Sequence, residues 1–389
     1  MDIERKIELV CRKPTQEVIT VEELRETFQN YSHPRHYIGF EISGLAHIGT
    51  GLMTTLKIKD MLEAGVKPTI FLADYHSYIN GKLGGDLDLI RKTGKGYFKA
   101  VFNSMGLDDS KVDFVLASDI YDNEYWAKVL AISKSTTIAR MLRCTAIMGR
   151  TQKEAIYSSS ILYPAMQAAD IFALDVQIAH AGMDQRKVHM LAREVAPKLG
   201  KKPPVAVHGH LVMGLQGPVK MGIEQSSQTI TITRQQVPGA IEITKTMTTV
   251  RPELDEDDAM LARKMSKSKP ETALYVHDSE ETIRSKIGKA YCPAGVVDGN
   301  PIIELAEYVI LRDGTTPMII SRPAKFGGDL VIESSDMLRS LYASGKIHPL
   351  DLKNTVAAHL ANTLKPCRDY FSQHAELVEP LRNPNAITR

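Results

Sequence analysis

Short apolar runs alternate with helical stretches over the first half of the sequence, and that alternation limits the fold more than any other feature. "HYIGFEI" leads into the amphipathic "GLMTTLKIKDMLEAG" and then into "PTIFLADYHSYI". "VDFVLASD" follows "LDLIRKTGKGYFKAVFNSMG"; "DVQIAHAG" precedes "MDQRKVHMLAREVAPKLG", and "PPVAVHGHLV" ends the series. Strands joined through helices pair in parallel, so the pattern predicts an α/β fold, a doubly wound parallel sheet covered by helices on both faces. Ligands of such sheets sit beyond the carboxyl ends of the strands, where the strand order reverses.

At 389 residues the chain is longer than one compact core usually holds. The alternation assigns residues 1–275 to the α/β part. Inside it, a helical stretch at about 122–169 is too long for a plain crossover and reads as an insertion. At about 225–250, "TITITRQQVPGAIEITKTMTTV" alternates Thr with Ile around a Val-Pro-Gly-Ala turn and predicts an inserted β-hairpin. Residues 276–389 lose the alternation and predict a separate, mainly α-helical domain. The acidic run "ELDEDDAM" reads as a solvated charge cluster rather than a metal site.

A formal net charge of +2 excludes a strongly basic nucleic-acid coat but leaves room for a local basic face. Cys11, Cys144, Cys292 and Cys367 are scattered without a CxxC pair, which predicts reduced thiols and no structural zinc. The N-terminal segment has no apolar core of a secretory signal, and no run approaches the roughly 18 apolar residues of a membrane span. A cytoplasmic protein without a membrane partner is expected.

Two short motifs carry chemistry. In "SGLAHIGTG" a strand turns into a helix at His47, Ile48 and Gly49, which aims backbone N–H groups and the positive end of a helix dipole at one spot. Gly49 permits close approach of a nucleotide, and His47 can donate to a phosphate oxygen. Far along the chain, "ARKMSKSKP" packs Lys264, Lys267 and Lys269 with Ser266 and Ser268 into a short loop able to wrap a pyrophosphate. Alone, each motif has a bland reading: a structural helix start, and a solvated basic loop.

Together, "HIGT" and "KMSKS" resemble the two defining motifs of the class I aminoacyl-tRNA synthetases, which implies a Rossmann-type catalytic domain. The resemblance assigns catalysis to His47, Thr50, Lys264 and Lys267, and ATP binding to Gly39, His47, Gly49, Lys264, Ser266, Lys267 and Ser268. ATP enters as co-substrate with its own Mg2+, and no protein-bound metal is implied. Thr50 departs from the usual second histidine. "VKMG" at 219–222 imitates the start of the lysine loop without the Ser-Lys-Ser and reads as a decoy.

"YIGFEISG", "YPAMQAAD" and "AGMDQRKVHMLARE" are similar to the tyrosyl-tRNA synthetases of archaeal and eukaryotic type. By that resemblance Tyr37, Tyr163, Gln167, Asp170 and Gln185 bind tyrosine. The spacing of Tyr163, Gln167 and Asp170 independently places them on one helical face. Asp170 can accept from a phenol, and a site built around a hydroxyl rejects the analogue lacking it, a rule usually illustrated with this family. Asp74 and His76 are expected to end the second strand and face the cleft, with packing an equal alternative for His76. The tryptophanyl enzyme and a non-catalytic RNA-binding relative are the competing readings.

For tRNA, Arg186 and Lys187 lie beside Gln185, and Arg140, Arg143 and Arg150 form a basic edge on the insertion. "KFGGDL" and "IHPLDLKN" resemble the family's anticodon-reading segments, which gives Phe326 a stacking role and Asp351 a guanine contact, with His348 and Pro349 beside it. Locally, Phe326 is equally a core residue and Asp351 a helix N-cap. Family members are dimers, so a homodimer through the helical insertion is expected.

Overall fold

The computed structural model describes residues 1–149, 157–217, 235–237, 240–242, 263–266 and 270–382. A central sheet contains β1 (Thr15–Ile19), β2 (Arg35–Phe40), β3 (Lys67–Leu72), β4 (Asp113–Leu116), β5 (Ile178–Gly182) and β6 (Val205–Gly209), in the order β1-β6-β5-β2-β3-β4. From β2 to β6, neighbouring strands are parallel, with Tyr37 opposite Thr69 and His36 opposite Ile178. These are the strands that the alternation predicts. β1 is not among them. Its "TQEVI" is only half buried and pairs antiparallel on the outer edge of β6, as an edge strand can.

Strand order runs outward in both directions from the β2/β5 pair, so the switch point lies there. The crossover from β4 to β5 contains the helices Asn123–Lys134, Ile138–Cys144 and Ser158–Ala173. Asp122 caps the first by accepting from the Tyr125 N–H, and the last is buried along most of its length. Ala165, Ala168 and Ala169 on that helix carry little side-chain bulk, which lets its backbone approach its neighbours closely.

Beyond the sheet come the helices Glu280–Lys289, Pro301–Leu305, Ser335–Ala343, Pro349–Thr363 and Lys365–Gln373. A small antiparallel hairpin, Met318–Ile320 with Leu330–Ile332, interrupts them and adds to the mainly helical expectation. This region is packed against the sheet domain through one apolar cluster that includes Ile38, Ile70, Leu352 and Leu360. Polar ties reinforce it. The Arg312 guanidinium pairs with Asp60 and donates to the Lys13 carbonyl, and Lys13 Nζ donates to Ser335. Buried Lys57 donates to the carbonyls of Leu9, Val10 and Arg12 and pairs with Asp60 at 3.2 Å. Burial outweighs that pairing and depresses its pKa to about 8. Residues 235–237 pair with 240–242 as short antiparallel strands around the Val-Pro-Gly-Ala segment. Among the described residues, no helix is long and apolar enough to cross a membrane.

Candidate active site

A cleft of about 410 Å³ opens at the switch point. The carboxyl ends of β2 and β5 form its floor, the helix Ser158–Ala173 one wall, and the segments around His47 and Lys264 its other end. Gly39 belongs to the floor: a Cβ there would stand 2.7 Å from the hydroxyl of Tyr37, so glycine lets the Tyr37 ring lie across the strand. Its sequence-based role, room for ATP, is joined by this more local one.

Tyr163, Gln167 and Asp170 line one wall from successive turns of one helix, and Gln185 faces them from the short turn Met183–Gln185 after β5. Gln167 Nε2 donates to Gln185 Oε1 at 3.2 Å, and Gln185 Nε2 donates to the Ile147 carbonyl at 3.0 Å. The Tyr163 hydroxyl donates to Glu41 Oε1 at 2.8 Å, where Asn80 Nδ2 also donates at 2.6 Å. Asp170 is buried, and its Oδ1 accepts from Tyr121 at 2.8 Å and lies 3.1 Å from the Tyr125 hydroxyl. Burial lifts its pKa to about 8 against those two hydrogen bonds, which favour the ionised form. Among the described residues its Oδ2 has no hydrogen-bond partner. His76 lines the same end, 3.8 Å from that oxygen.

Asp74 does not. It opens the short helix Asp74–Ile79 instead of ending β3, and its carboxylate accepts from Arg91 at 2.9 Å and from the Ser118 N–H at 3.1 Å. A strand-end residue was expected to face the cleft, but one helical turn rotates Asp74 away while bringing His76 in.

At the other end, His47 precedes a wide, π-type turn over Gly49–Met53, which leads into the helix Thr54–Glu63. The backbone cradle is smaller than the sequence suggests, because the Ile48 N–H donates to the Leu274 carbonyl and the Gly49 N–H to His47 Nδ1 at 3.1 Å. The Thr50 hydroxyl lies 3.3 Å from His47 Nε2, so the two motif residues form one hydrogen-bonded unit. Gly49 has a specific reason here too, since a Cβ would stand 2.9 Å from the His47 ring.

Lys264 reaches the cleft and pairs with Asp184 Oδ2 at 2.5 Å. Burial disfavours its ammonium, and the Asp184 carboxylate more than offsets that, so its pKa lies above the usual lysine value. Ser266 lines the same wall. Lys267, Ser268, Arg150 and the decoy Lys220 lie outside the described residues.

Of the residues expected at tRNA, Arg186 is held by Glu17 at 2.9 Å, Arg140 is tied to Glu194, and Arg143 is exposed on the helix Ile138–Cys144. Phe326 ends a tight turn, Ala324–Phe326, in the loop of the small hairpin. The N-cap of the helix Pro349–Thr363 is His348, whose Nδ1 accepts from the Leu350 N–H at 3.2 Å. Asp351 therefore sits in the first turn and is not the cap. Pro349 occupies the first helical position, where its missing N–H costs nothing.

Sequence reasoning missed Glu41, Tyr121, Tyr125 and Asp184. Glu41 and Asp184 lie inside the quoted "YIGFE" and "MDQRK", so their place beside marked residues was the available signal. Tyr121 and Tyr125 had none, since only the fold brings them to Asp170. Among the described residues, no group of three or more His, Cys, Asp or Glu side chains is arranged to hold a metal.

The pattern of the tRNA synthetases class I (W and Y) matches residues 29–262 and 258–365. The chain is 49% identical to the tyrosine–tRNA ligase of Thermococcus sibiricus, over the whole length of both. It belongs to the tyrosyl-tRNA synthetase family. Two solved members share its fold. The tyrosyl-tRNA synthetase of Pyrococcus horikoshii, complexed with L-tyrosine, superposes with a TM-score of 0.86 at 47% identity, covering 98% of this chain and 100% of that one. The Archaeoglobus fulgidus enzyme, also with L-tyrosine, gives 0.77 at 37% identity, covering 95% and 99%.

Proposed function

We infer that this chain activates L-tyrosine with ATP and then transfers it to the 3′ end of tRNA(Tyr). One observation carries the choice of amino acid: at the closed end of the cleft, Asp170 presents a buried carboxyl oxygen without a partner. An orphaned buried acceptor favours a substrate that brings a hydroxyl there. Phenylalanine brings none, and the indole of tryptophan has no phenolic hydroxyl.

In the first step the tyrosine carboxylate attacks the α-phosphorus of ATP, the bond to the bridging oxygen breaks, and pyrophosphate leaves. In the second, a terminal ribose hydroxyl of the tRNA attacks the activated carbonyl and AMP leaves. No side chain needs to form a covalent bond. Gln167, Gln185 and Tyr163 orient the amino acid through the ammonium, with Glu41 supplying negative charge nearby. His47, Thr50 and Lys264, joined by Lys267 from the lysine loop, stabilise charge on the phosphates, and a magnesium ion accompanies the nucleotide as part of the substrate. Asp184 holds Lys264 until the nucleotide competes for it.

Arg186, Arg143, Phe326, His348, Pro349 and Asp351 form the tRNA face in this reading. The protein works in the cytoplasm as a homodimer. Trp126, Leu130, Ile138, Leu142 and Leu162 are exposed on the inserted helices and supply an apolar face for a second copy. Sedimentation as a monomer at micromolar concentration would remove the dimer.

The decisive experiment is ATP–pyrophosphate exchange without tRNA, with tyrosine, phenylalanine and tryptophan in parallel. Exchange with tyrosine alone is expected. Exchange with tryptophan alone would keep the mechanism and overturn the pocket.

A further inference from the structure

Tyr121, His76 and Asp170 form a connected arrangement at the closed end of the cleft. The Tyr121 hydroxyl donates to Asp170 Oδ1 at 2.8 Å and lies 3.2 Å from His76 Nδ1. A phenol has one hydrogen, and the shorter contact to the carboxyl takes it. The Tyr121 oxygen therefore accepts from His76, and Nδ1 carries the ring proton. Burial keeps the imidazole neutral, with its pKa lowered to about 4 although Asp74 and the Tyr163 carbonyl favour the charged form. Among the described residues, His76 Nε2 and Asp170 Oδ2 have no hydrogen-bond partner.

These two atoms are 3.8 Å apart, too far for a hydrogen bond with each other. One oxygen atom can, however, lie about 2.8 Å from both. We propose that Tyr121 is a positioning residue for amino-acid selection: it orients Asp170 and fixes the tautomer of His76, so that Oδ2 and Nε2 converge on the substrate hydroxyl. The proposal rests on tyrosine being the amino acid. A phenol placed there donates to one acceptor, and a proton on Oδ2 lets Asp170 donate to the phenol oxygen while the phenol donates to Nε2. The raised pKa of Asp170 makes that proton available near neutral pH. Both orphaned atoms are then paired. Phenylalanine leaves both unpaired, where a lone carboxylate would leave one.

Tyr121→Phe tests this, because the ring keeps its stacking on Tyr125 and Tyr75, at 3.7 and 5.6 Å between centroids. In pyrophosphate exchange the variant is expected to raise the KM for tyrosine about tenfold, the loss of roughly one hydrogen bond, and to leave the KM for ATP unchanged. The preference for tyrosine over phenylalanine should fall by a similar factor. The 15N spectrum of the His76 ring should show an unprotonated Nε2 in the parent protein and a mixture of tautomers in the variant. As a second variant, His76→Gln, which keeps a polar group, should retain more discrimination than His76→Leu. Unchanged tyrosine KM and discrimination in Tyr121→Phe would overturn the proposal, and so would a protonated Nε2 in the parent. If the parent protein shows no tyrosine-dependent exchange at all, the functional reading fails first and takes this proposal with it.

Discussion

Asp170 is a carboxyl group whose surroundings favour recognition over stability. Its folded pKa of about 8 stands above the usual value near 3.9, so between those limits the folded chain binds a proton that the unfolded chain releases. Its contribution to stability is complete below about pH 4 and is lost as the pH rises through 8. Asp170→Asn should therefore melt higher than the parent at pH 8.5, with the difference shrinking toward pH 5; thermal melts at the two pH values check the sign. Thr50 is the second residue at which chemistry and sequence meet. Thr50→Val keeps the volume but deprives His47 Nε2 of its neighbour, and about a tenfold fall in kcat with unchanged tyrosine KM is expected. A fall in tyrosine affinity instead would move Thr50 out of the phosphate end. At this scale the sequence was legible where helical spacing groups residues, and Asp170 lines the cleft together with Tyr163 and Gln167 as that spacing expects. It was silent about Tyr121 and Tyr125, whose hydroxyls meet Asp170 across 49 and 45 positions of chain.

Elements decide what a local pattern reveals. Tyr163, Gln167 and Asp170 could be grouped in advance because a single helix fixes their relation, and the five parallel strands because each is a mainly apolar run, with β3, β5 and β6 buried along nearly their whole length. β1 escaped notice because its edge position leaves polar residues on both faces of a five-residue strand. Asp74 was misplaced because β3 ends at Leu72, two residues before it, and a helical start turns successive side chains by about 100° where a strand alternates them. The local alternative for Asp351, an N-cap, would set the start of the helix Pro349–Thr363 three residues late, since His348 is a rare capping residue and Asp351 a common one. The helix Asn123–Lys134 gives a test at this scale. Its Asp122 cap stands between Tyr121 and Tyr125, so Asp122→Ala should cost about 1 kcal/mol and also raise the tyrosine KM more than the ATP KM. Equal effects on both substrates would mean that the cap supports the fold only.

Across the whole molecule, the sheet carries a store of buried histidines. His36 on β2 meets His180 on β5 at 3.1 Å, and His208 on β6 meets His189 on the helix Arg186–Val195 at 3.1 Å. His208 also contacts Glu17 on β1 at 2.7 Å, and Arg186 closes on the same carboxylate. Burial keeps these rings neutral: His36 is lowered to about 3, His180 and His189 lie well below their usual value, and His208 is lowered less because Glu17 opposes the shift. In the unfolded chain each would take up a proton near pH 6.5. Below that pH the unfolded state therefore binds more protons than the folded one, so stability is complete above about 6.5 and falls as the pH drops toward 3. Each fully neutral ring adds up to about 1.4 kcal/mol per pH unit to the slope. His36→Gln keeps a side-chain donor for His180 Nδ1 but cannot titrate. Urea unfolding midpoints from pH 7.5 to 5.0 should then fall less steeply in this variant than in the parent, by about the weight of one proton. Identical slopes would mean that His36 is protonated within the folded sheet, and the neutral histidine pair joining β2 to β5 would have to be abandoned.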